Sequence, residues 1–380
     1  MMSQEQAVKF ATIDAQNGKK IGVATLNSER SLNALSLEMI KLLSPQLDAW
    51  AEDDNIACVW LEGAGEKAFC AGGDIVQMYH ATKAQNADTT KPKPVEEVVD
   101  FFTKEYRLDY KIRTYKKPIV VWGHGFVMGG GIGLMNGASH RVVTEHSRLA
   151  MPEISIGLYP DVGGTWFLSR LPEGMGLFLG LTAAQVNATD ALWLGMADVA
   201  IPFNAKQSAI EALQGADWSA DISQNHNLVD DVLRGVGDAT AMPEAQLEPL
   251  HEVIRTLMTG EDLTAVAHQF TQYQTDEEAL VRGQKTLQRG CPMTAHIVWQ
   301  QLQHGEQLSI EDVFRLELTL SVNCAIHGDF IEGVRALLID KDKRPQWRHA
   351  SIDVIGERDV DEMFTSPWSA EAHPLKDLGE

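Results

Sequence analysis

Apolar and polar residues alternate at the start of the chain. Residues 7–13 (VKFATID) and 20–27 (KKIGVATLN) read as two short strands around the turn signal Gln16-Asn17-Gly18, a hairpin. The period then lengthens. Ile40, Leu43, Leu47 and Trp50 recur at helical spacing, with Ser36 as N-cap two residues before Glu38. Ile56–Leu61 is a short apolar strand ending at Gly63, and Pro118–Val121 and Arg141–Thr144 read as strands flanking a glycine-rich segment. Val98, Phe101, Leu108 and Ile112 mark one face of a helix over Pro94–Tyr115, and Glu105 falls inside that apolar arc. Lys91-Pro92-Lys93-Pro94 reads as a loop that no helix crosses. Strands alternating with helices define an α/β class.

The pattern changes after Pro202-Phe203. From about 205 to 290 the chain reads as polar helices, such as Pro243–Met258 and Asp276–Gln288, with few strand signals. From 292 onward come two more helices, one opening at Ser309 with Asp312 three residues later. The expected division is a core over 1–204, a helical insertion over 205–290 and a C-terminal helical region with its tail over 291–380.

Composition narrows the function classes. Of 380 residues, 44% are hydrophobic, enough for a sizeable core. No apolar run reaches the roughly 18 residues of a membrane span. The first ten residues, MMSQEQAVKF, lack the pattern of a secretory signal and are not Arg-rich. Cys58, Cys70, Cys291 and Cys324 are scattered, with no metal-ligand spacing, and read as free thiols of a reducing cytosol. The expectation is therefore a cytoplasmic chain without a bound metal. A net charge of −21 opposes a general grip on nucleic acid or an anionic membrane. Any anionic ligand would need local Lys, Arg or helix N-termini.

Three segments could carry chemistry. Phe69-Cys70-Ala71-Gly72-Gly73-Asp74-Ile75 follows a strand and opens a helix, where small residues let a ligand approach amides that could bind an oxyanion. Met128-Gly129-Gly130-Gly131-Ile132-Gly133 offers a second such set, although each run taken singly also fits a structural turn. The third, Met151 to Gly164, places Glu153 and Asp161 eight residues apart in an apolar stretch bounded by Gly and Pro. A carboxylate buried there without a partner costs several kcal/mol, so such acids are exposed or functional, or they cap a helix; Asp161 could cap Val162–Leu171. Glu105 reads either as the edge of its apolar stripe or as facing a pocket. His124, between Gly123 and Gly125, reads as a packed histidine. No HExxH, GxSxG or CxxC occurs, which removes the usual signals of zinc hydrolysis and of a serine nucleophile elbow.

The succession FCAGGDI, HGFVMGGGIGL and MPEISIGLYPDVGG resembles the enoyl-CoA hydratase/isomerase (crotonase) superfamily, and Asn27 to Leu35 (NSERSLNAL) matches its N-terminal signature. The resemblance implies a spiral of ββα units with a C-terminal helical region, coenzyme A against the N-terminal signature, and oxyanion-hole amides at Gly73 and Gly130. Hydratases of the superfamily carry two glutamates. Glu153 matches the one in the Pro-Glu segment, but Gly133 stands where the other would be, and Asp161 replaces a usual glycine. Glu105 in its FFxxEY sequence, Gly130, Glu153 and Asp161 together are similar to the 3-hydroxyisobutyryl-CoA hydrolases of valine catabolism. So is the tail from Phe330 to Trp347.

The implied catalytic residues are Glu153 and Asp161, with Glu105, Gly130, Glu153 and Asp161 contacting substrate. Glu153 either attacks the thioester or activates water, and Asp161 binds the β-hydroxyl or orients that water. The implied partner is an acyl-CoA, with no cofactor beyond the coenzyme A of the substrate. Superfamily members often form trimers, which makes a homo-oligomer one option, although the insertion near 205–290 could alter that and the sequence does not fix the oligomeric state. An isomerase or hydratase, and a silent CoA-binding protein on the same fold, are the alternatives.

Overall fold

The computed structural model describes residues 6–86 and 93–380, so Lys91 and Pro92 of the expected loop lie outside the described residues. The strands in chain order are β1 (Val8–Asp14), β2 (Lys20–Leu26), β3 (Ile56–Gly63), β4 (Ala68–Cys70), β5 (Ile119–Gly123), β6 (Phe126–Met128), β7 (His140–Val143), β8 (Arg148–Ala150) and β9 (Val199–Ala200). The expected hairpin forms: β1 and β2 run antiparallel, with Val8 opposite Leu26 and Ile13 opposite Ile21. Asn17 and Gly18, at φ 59 and 70, supply the left-handed turn between them. All later pairings in this sheet are parallel, in the order β1-β2-β3-β5-β7-β9. That explains why β3 and β5 are apolar almost throughout instead of alternating: both of their faces are covered. A second sheet has the order β4-β6-β8.

Helix α1 (Leu37–Glu52) starts at the predicted cap, Ser36 Oγ accepting the Met39 amide at 3.2 Å. Then come α2 (Ile75–Asn86), α3 (Glu96–Arg113) and α4 (Gly130–Gly137). On α3 the predicted apolar face is buried, and Glu105 is buried with it at 2% exposure.

Packing divides the chain into two units, each drawn from three stretches. One takes the chain up to Gly73, Leu108–Leu149 and Val186–Glu248; the other takes Asp74–Arg107, Ala150–Gln185 and Pro249–Glu380. In the first, Trp60 and Trp122 stack with centroids 5.6 Å apart, in a cluster with Val120 and Val142 of the sheet. Leu213 from the helix Lys206–Gln214 and Val229 and Leu233 from the helix Ile222–Val236 join that cluster. The helical stretch 205–290 is thus shared between the units, its early part serving the sheet.

One predicted helix is shortened. Pro243–Met258 is helical only from a 3-10 turn at Glu248–Leu250 into His251–Leu257. The cause is a tertiary bond set: buried Asp190 accepts the amides of Gln246, Leu247 and Glu248 at 2.9–3.0 Å, and holds that backbone out of a helix. Local propensity yields to a carboxylate brought from fifty-odd residues away.

The second unit is mainly helical. The helix Met175–Thr182 is buried along its whole length and packs against Glu278–Arg289 and Pro292–His304. Phe178 and Phe270 meet edge to face there, with centroids 5.9 Å apart. The helix Ile310–His327 begins as predicted, Ser309 Oγ accepting the Asp312 amide at 3.1 Å.

Candidate active site

The first glycine segment follows β4 and leads into α2, as its spacing implies. It is tied to the N-terminal signature. Leu35 bridges to Gly73, the Leu35 amide donates to the Gly72 carbonyl at 2.8 Å, and the Ala71 amide donates to the Leu32 carbonyl at 3.1 Å. Asn33, fully buried at φ 55, braces the turn: Nδ2 donates to the Ala64 and Ala68 carbonyls, and Oδ1 accepts the Ser28 amide. The second glycine segment enters α4 through Gly129, at φ 46 and ψ −122. Gly130 is the first residue of the helix, where amides lack an intrahelical acceptor.

The two glycine segments touch backbone to backbone. A Cβ on Gly131 would lie 2.3 Å from the Cys70 carbonyl oxygen, and one on Gly72 would lie 3.5 Å from that of Met128. Glycine at 131 is required for that approach. His124 is packed as expected, its Nε2 3.0 Å from the Gly65 carbonyl.

The acids belong to the other unit. Glu153 opens a 3-10 turn, Glu153–Ile156, that Gly157 closes at φ 69, and Asp161 stands shortly before α5 (Gly164–Leu168). Both are buried, at 4% and 3% exposure. Burial, reinforced by the Asp161 charge, holds the Glu153 carboxyl well above the usual carboxylate range. Burial raises Asp161 as well, against the pull of the Tyr106 hydroxyl. Glu153 Oε2 has no hydrogen-bond partner among the described residues. Glu105 joins this acidic group through its charge on the Tyr106 phenol. The structure therefore brings Glu105, Glu153 and Asp161 together in one unit and Gly73 and Gly130 together in the other.

Four residues of the acidic centre escaped sequence reasoning. Tyr106 Oη lies 2.7 Å from Asp161 Oδ2 and 2.6 Å from Ser321 Oγ. Tyr159 Oη lies 3.0 Å from Ser321 Oγ and 2.6 Å from the Glu317 carbonyl. The Glu317 carboxylate accepts the amides of Gly163 and Thr165 at 2.7 and 2.9 Å. The start of α5 is thus capped by Glu317 from a distant helix, and the alternative that Asp161 caps it with its own side chain is corrected. Burial pushes Glu317 up to about 8, although those two amides pull the other way. Tyr106, beside Glu105 in the FFxxEY motif, and Tyr159, inside MPEISIGLYPDVGG, lay within quoted motifs without being singled out, whereas no motif touched Ser321 or Glu317. Replacing Glu317 by Ala orphans two buried amides at about 1–3 kcal/mol each, whereas Gln keeps one acceptor. Urea unfolding should therefore rank wild type above Glu317→Gln and that above Glu317→Ala; equal midpoints would contradict the clamp.

Among the described residues, no group of three or more His, Cys, Asp or Glu is arranged to hold a metal ion, and no helix is long and apolar enough to cross a membrane. The four cysteines are free and buried.

A parallel sheet, two touching glycine segments and a buried acid pair define a class, and comparison with known proteins agrees with it. The chain belongs to the enoyl-CoA hydratase/isomerase family, whose model matches residues 21–364. It is 36% identical over 358 residues to the mitochondrial 3-hydroxyisobutyryl-CoA hydrolase of Danio rerio, covering 91% of this chain and 87% of the relative. With the Homo sapiens protein of the same name it shares 35% over 351 residues, covering 92% and 87%. Among solved structures, a carnitinyl-CoA dehydratase from Mycobacterium thermoresistibile matches with a TM-score of 0.83 at 31% identity, covering 99% of this chain and all of that one. The fold is the crotonase-like α/β fold expected from the motifs.

These relatives correct one expectation. The cytoplasmic assignment does not stand, because the relatives of Danio rerio and Homo sapiens are named as mitochondrial proteins. Its basis was four unpaired cysteines and the first ten residues. Buried thiols stay reduced because they are packed away from oxidant and from one another, so they report packing and not compartment.

Proposed function

We propose that this protein hydrolyses the thioester of a 3-hydroxyacyl-CoA, 3-hydroxyisobutyryl-CoA first among them, releasing the hydroxy acid and CoA as in valine catabolism. One observation carries the choice between hydrolysis and hydration: Gly133, buried in α4, has no side chain where a hydratase needs its first acid, while Glu153 and Asp161 are buried as a pair. Without that first acid, half of the proton transfer for adding water across a double bond is missing.

In this reading the Gly73 and Gly130 amides hold the thioester carbonyl and stabilise the oxyanion that forms on it. Glu153 attacks the carbonyl or draws a proton from the attacking water, and Oε2, which has no hydrogen-bond partner among the described residues, is the atom placed to do so. Asp161 binds the β-hydroxyl or orients the water, and Glu105 lines the same pocket. Coenzyme A enters as part of the substrate, and no other cofactor is required.

The test is a free-thiol assay over a panel of acyl-CoAs. CoA release from 3-hydroxyacyl-CoAs, with little from crotonyl-CoA, supports hydrolysis. Hydration of crotonyl-CoA with no thiol released from any hydroxyacyl-CoA would overturn it.

A further inference from the structure

Three hydroxyls link Asp161 to a backbone carbonyl. Asp161 Oδ2, Tyr106 Oη, Ser321 Oγ, Tyr159 Oη and the Glu317 carbonyl oxygen form an unbroken series with separations of 2.7, 2.6, 3.0 and 2.6 Å. Asp161 is 3% exposed and the three hydroxyl-bearing residues are fully buried. The series holds four contacts, but the hydroxyls carry three hydrogens. With Asp161 ionised, Tyr106 must donate to it and Ser321 to Tyr106. Tyr159 then donates either to the Glu317 carbonyl or to Ser321, and one contact stays without a hydrogen. With Asp161 protonated, every bond runs one way: Asp161 donates to Tyr106, Tyr106 to Ser321, Ser321 to Tyr159, and Tyr159 to the carbonyl.

From this geometry we infer that, when the Glu153–Asp161 pair holds a single proton, the proton resides on Asp161, kept there by the Tyr106–Ser321–Tyr159 hydroxyl series, and Glu153 is the carboxylate. The inference rests on the proposed hydrolase reading only for its catalytic meaning. Under that reading, Tyr106, Ser321 and Tyr159 are positioning residues that keep Glu153 ready as base or nucleophile.

Two forces oppose this placement of the proton: Tyr106, when it donates, lowers the proton affinity of Asp161, and desolvation raises that of Glu153. Burial favours the neutral form of both acids, and it acts on Glu153 with only that residue's own amide to offset it. Glu153 Oε2, however, has no hydrogen-bond partner among the described residues, whereas a proton on Asp161 completes the hydroxyl series. Other titratable groups face the hydroxyl series and the pair from two helices. Glu105 acts from α3, and Glu317 and Cys324 act from Ile310–His327, beside the hydroxyls and Asp161.

The test is carbon-13 NMR of the ligand-free full chain, with aspartate Cγ and glutamate Cδ labelled and the two signals assigned by their loss in Asp161→Asn and Glu153→Gln. Across the pH interval in which the pair holds one proton, Asp161 should show the shift of a protonated carboxyl and Glu153 that of a carboxylate. The reverse assignment overturns the inference, and it needs no variant beyond those used for assignment.

A second measurement tests the cause. Ser321→Ala leaves two contacts and two hydrogens, a set completed by ionised Asp161, so the proton should move to Glu153. CoA release should then fall roughly tenfold in kcat, the worth of about one hydrogen bond, with KM nearly unchanged and with rescue by Ser321→Thr. An unmoved proton in Ser321→Ala would show that the hydroxyl series does not hold it. The NMR experiment involves no turnover, so it can fail while thioester hydrolysis stands, and the thiol assay can fail while the proton sits on Asp161.

Discussion

Glu153→Gln should stop CoA release while leaving the acyl-CoA ester bound. Gln preserves the volume of a buried side chain but can neither accept a proton at neutral pH nor form an acyl bond through a carboxylate. Loss of a general base costs about 10²–10⁴ in rate, and loss of a nucleophile commonly costs more. The measurement pairs thiol release with binding of a CoA ester by calorimetry. Full release in Glu153→Gln would remove that residue from the mechanism, and lost binding together with an altered unfolding transition would show that its role is structural. Under the proposed mechanism, in which Glu153 works as the anion, the wild-type rate should rise with pH as the pair loses its first proton, because burial has raised the proton affinity of Glu153.

For Asp161→Gly the expected result is lost discrimination, not lost folding. The side chain bonds to Tyr106 and takes no part in capping α5, which Glu317 performs. A site that hydrogen-bonds a substrate hydroxyl rejects analogues lacking it by up to about 10⁴–10⁵, because its own buried polar group is then unpaired. Removing the carboxylate should therefore shrink the ratio of kcat/KM for 3-hydroxyacyl-CoA over plain acyl-CoA by roughly 10²-fold or more. Equal losses for both substrates would mean that Asp161 guides water or supports the fold and does not read the hydroxyl.

Much of this molecule was legible in residue order. The hairpin, the α1 cap at Ser36, the apolar face of α3 and the start of Ile310–His327 follow from alternation, helical spacing and short-range caps, which act within a few residues. The glycine segments were legible as loops. That they touch was not, since the Gly131 approach to Cys70 spans some sixty residues. The helix drawn over Pro243–Met258 failed for the same reason: Asp190 competes for its amides from outside the window in which propensity operates.

The acid pair divides along that line. Sequence alone determined that Glu153 and Asp161 sit in an apolar, Gly- and Pro-bounded stretch, that α4 carries Gly133 in place of an acid, and hence what chemistry is missing. Only the tertiary structure decided what surrounds them: that the pair is buried, that Tyr106 reaches Asp161, and that Ser321 and Glu317 back it from one distant helix, together with Tyr159 from its own segment. Proton affinity and hydrogen-bond direction depend on distances of about 3 Å between residues as far apart as 215 positions in the chain. No local pattern encodes such a distance; it arises when folding closes the chain and strips the water away.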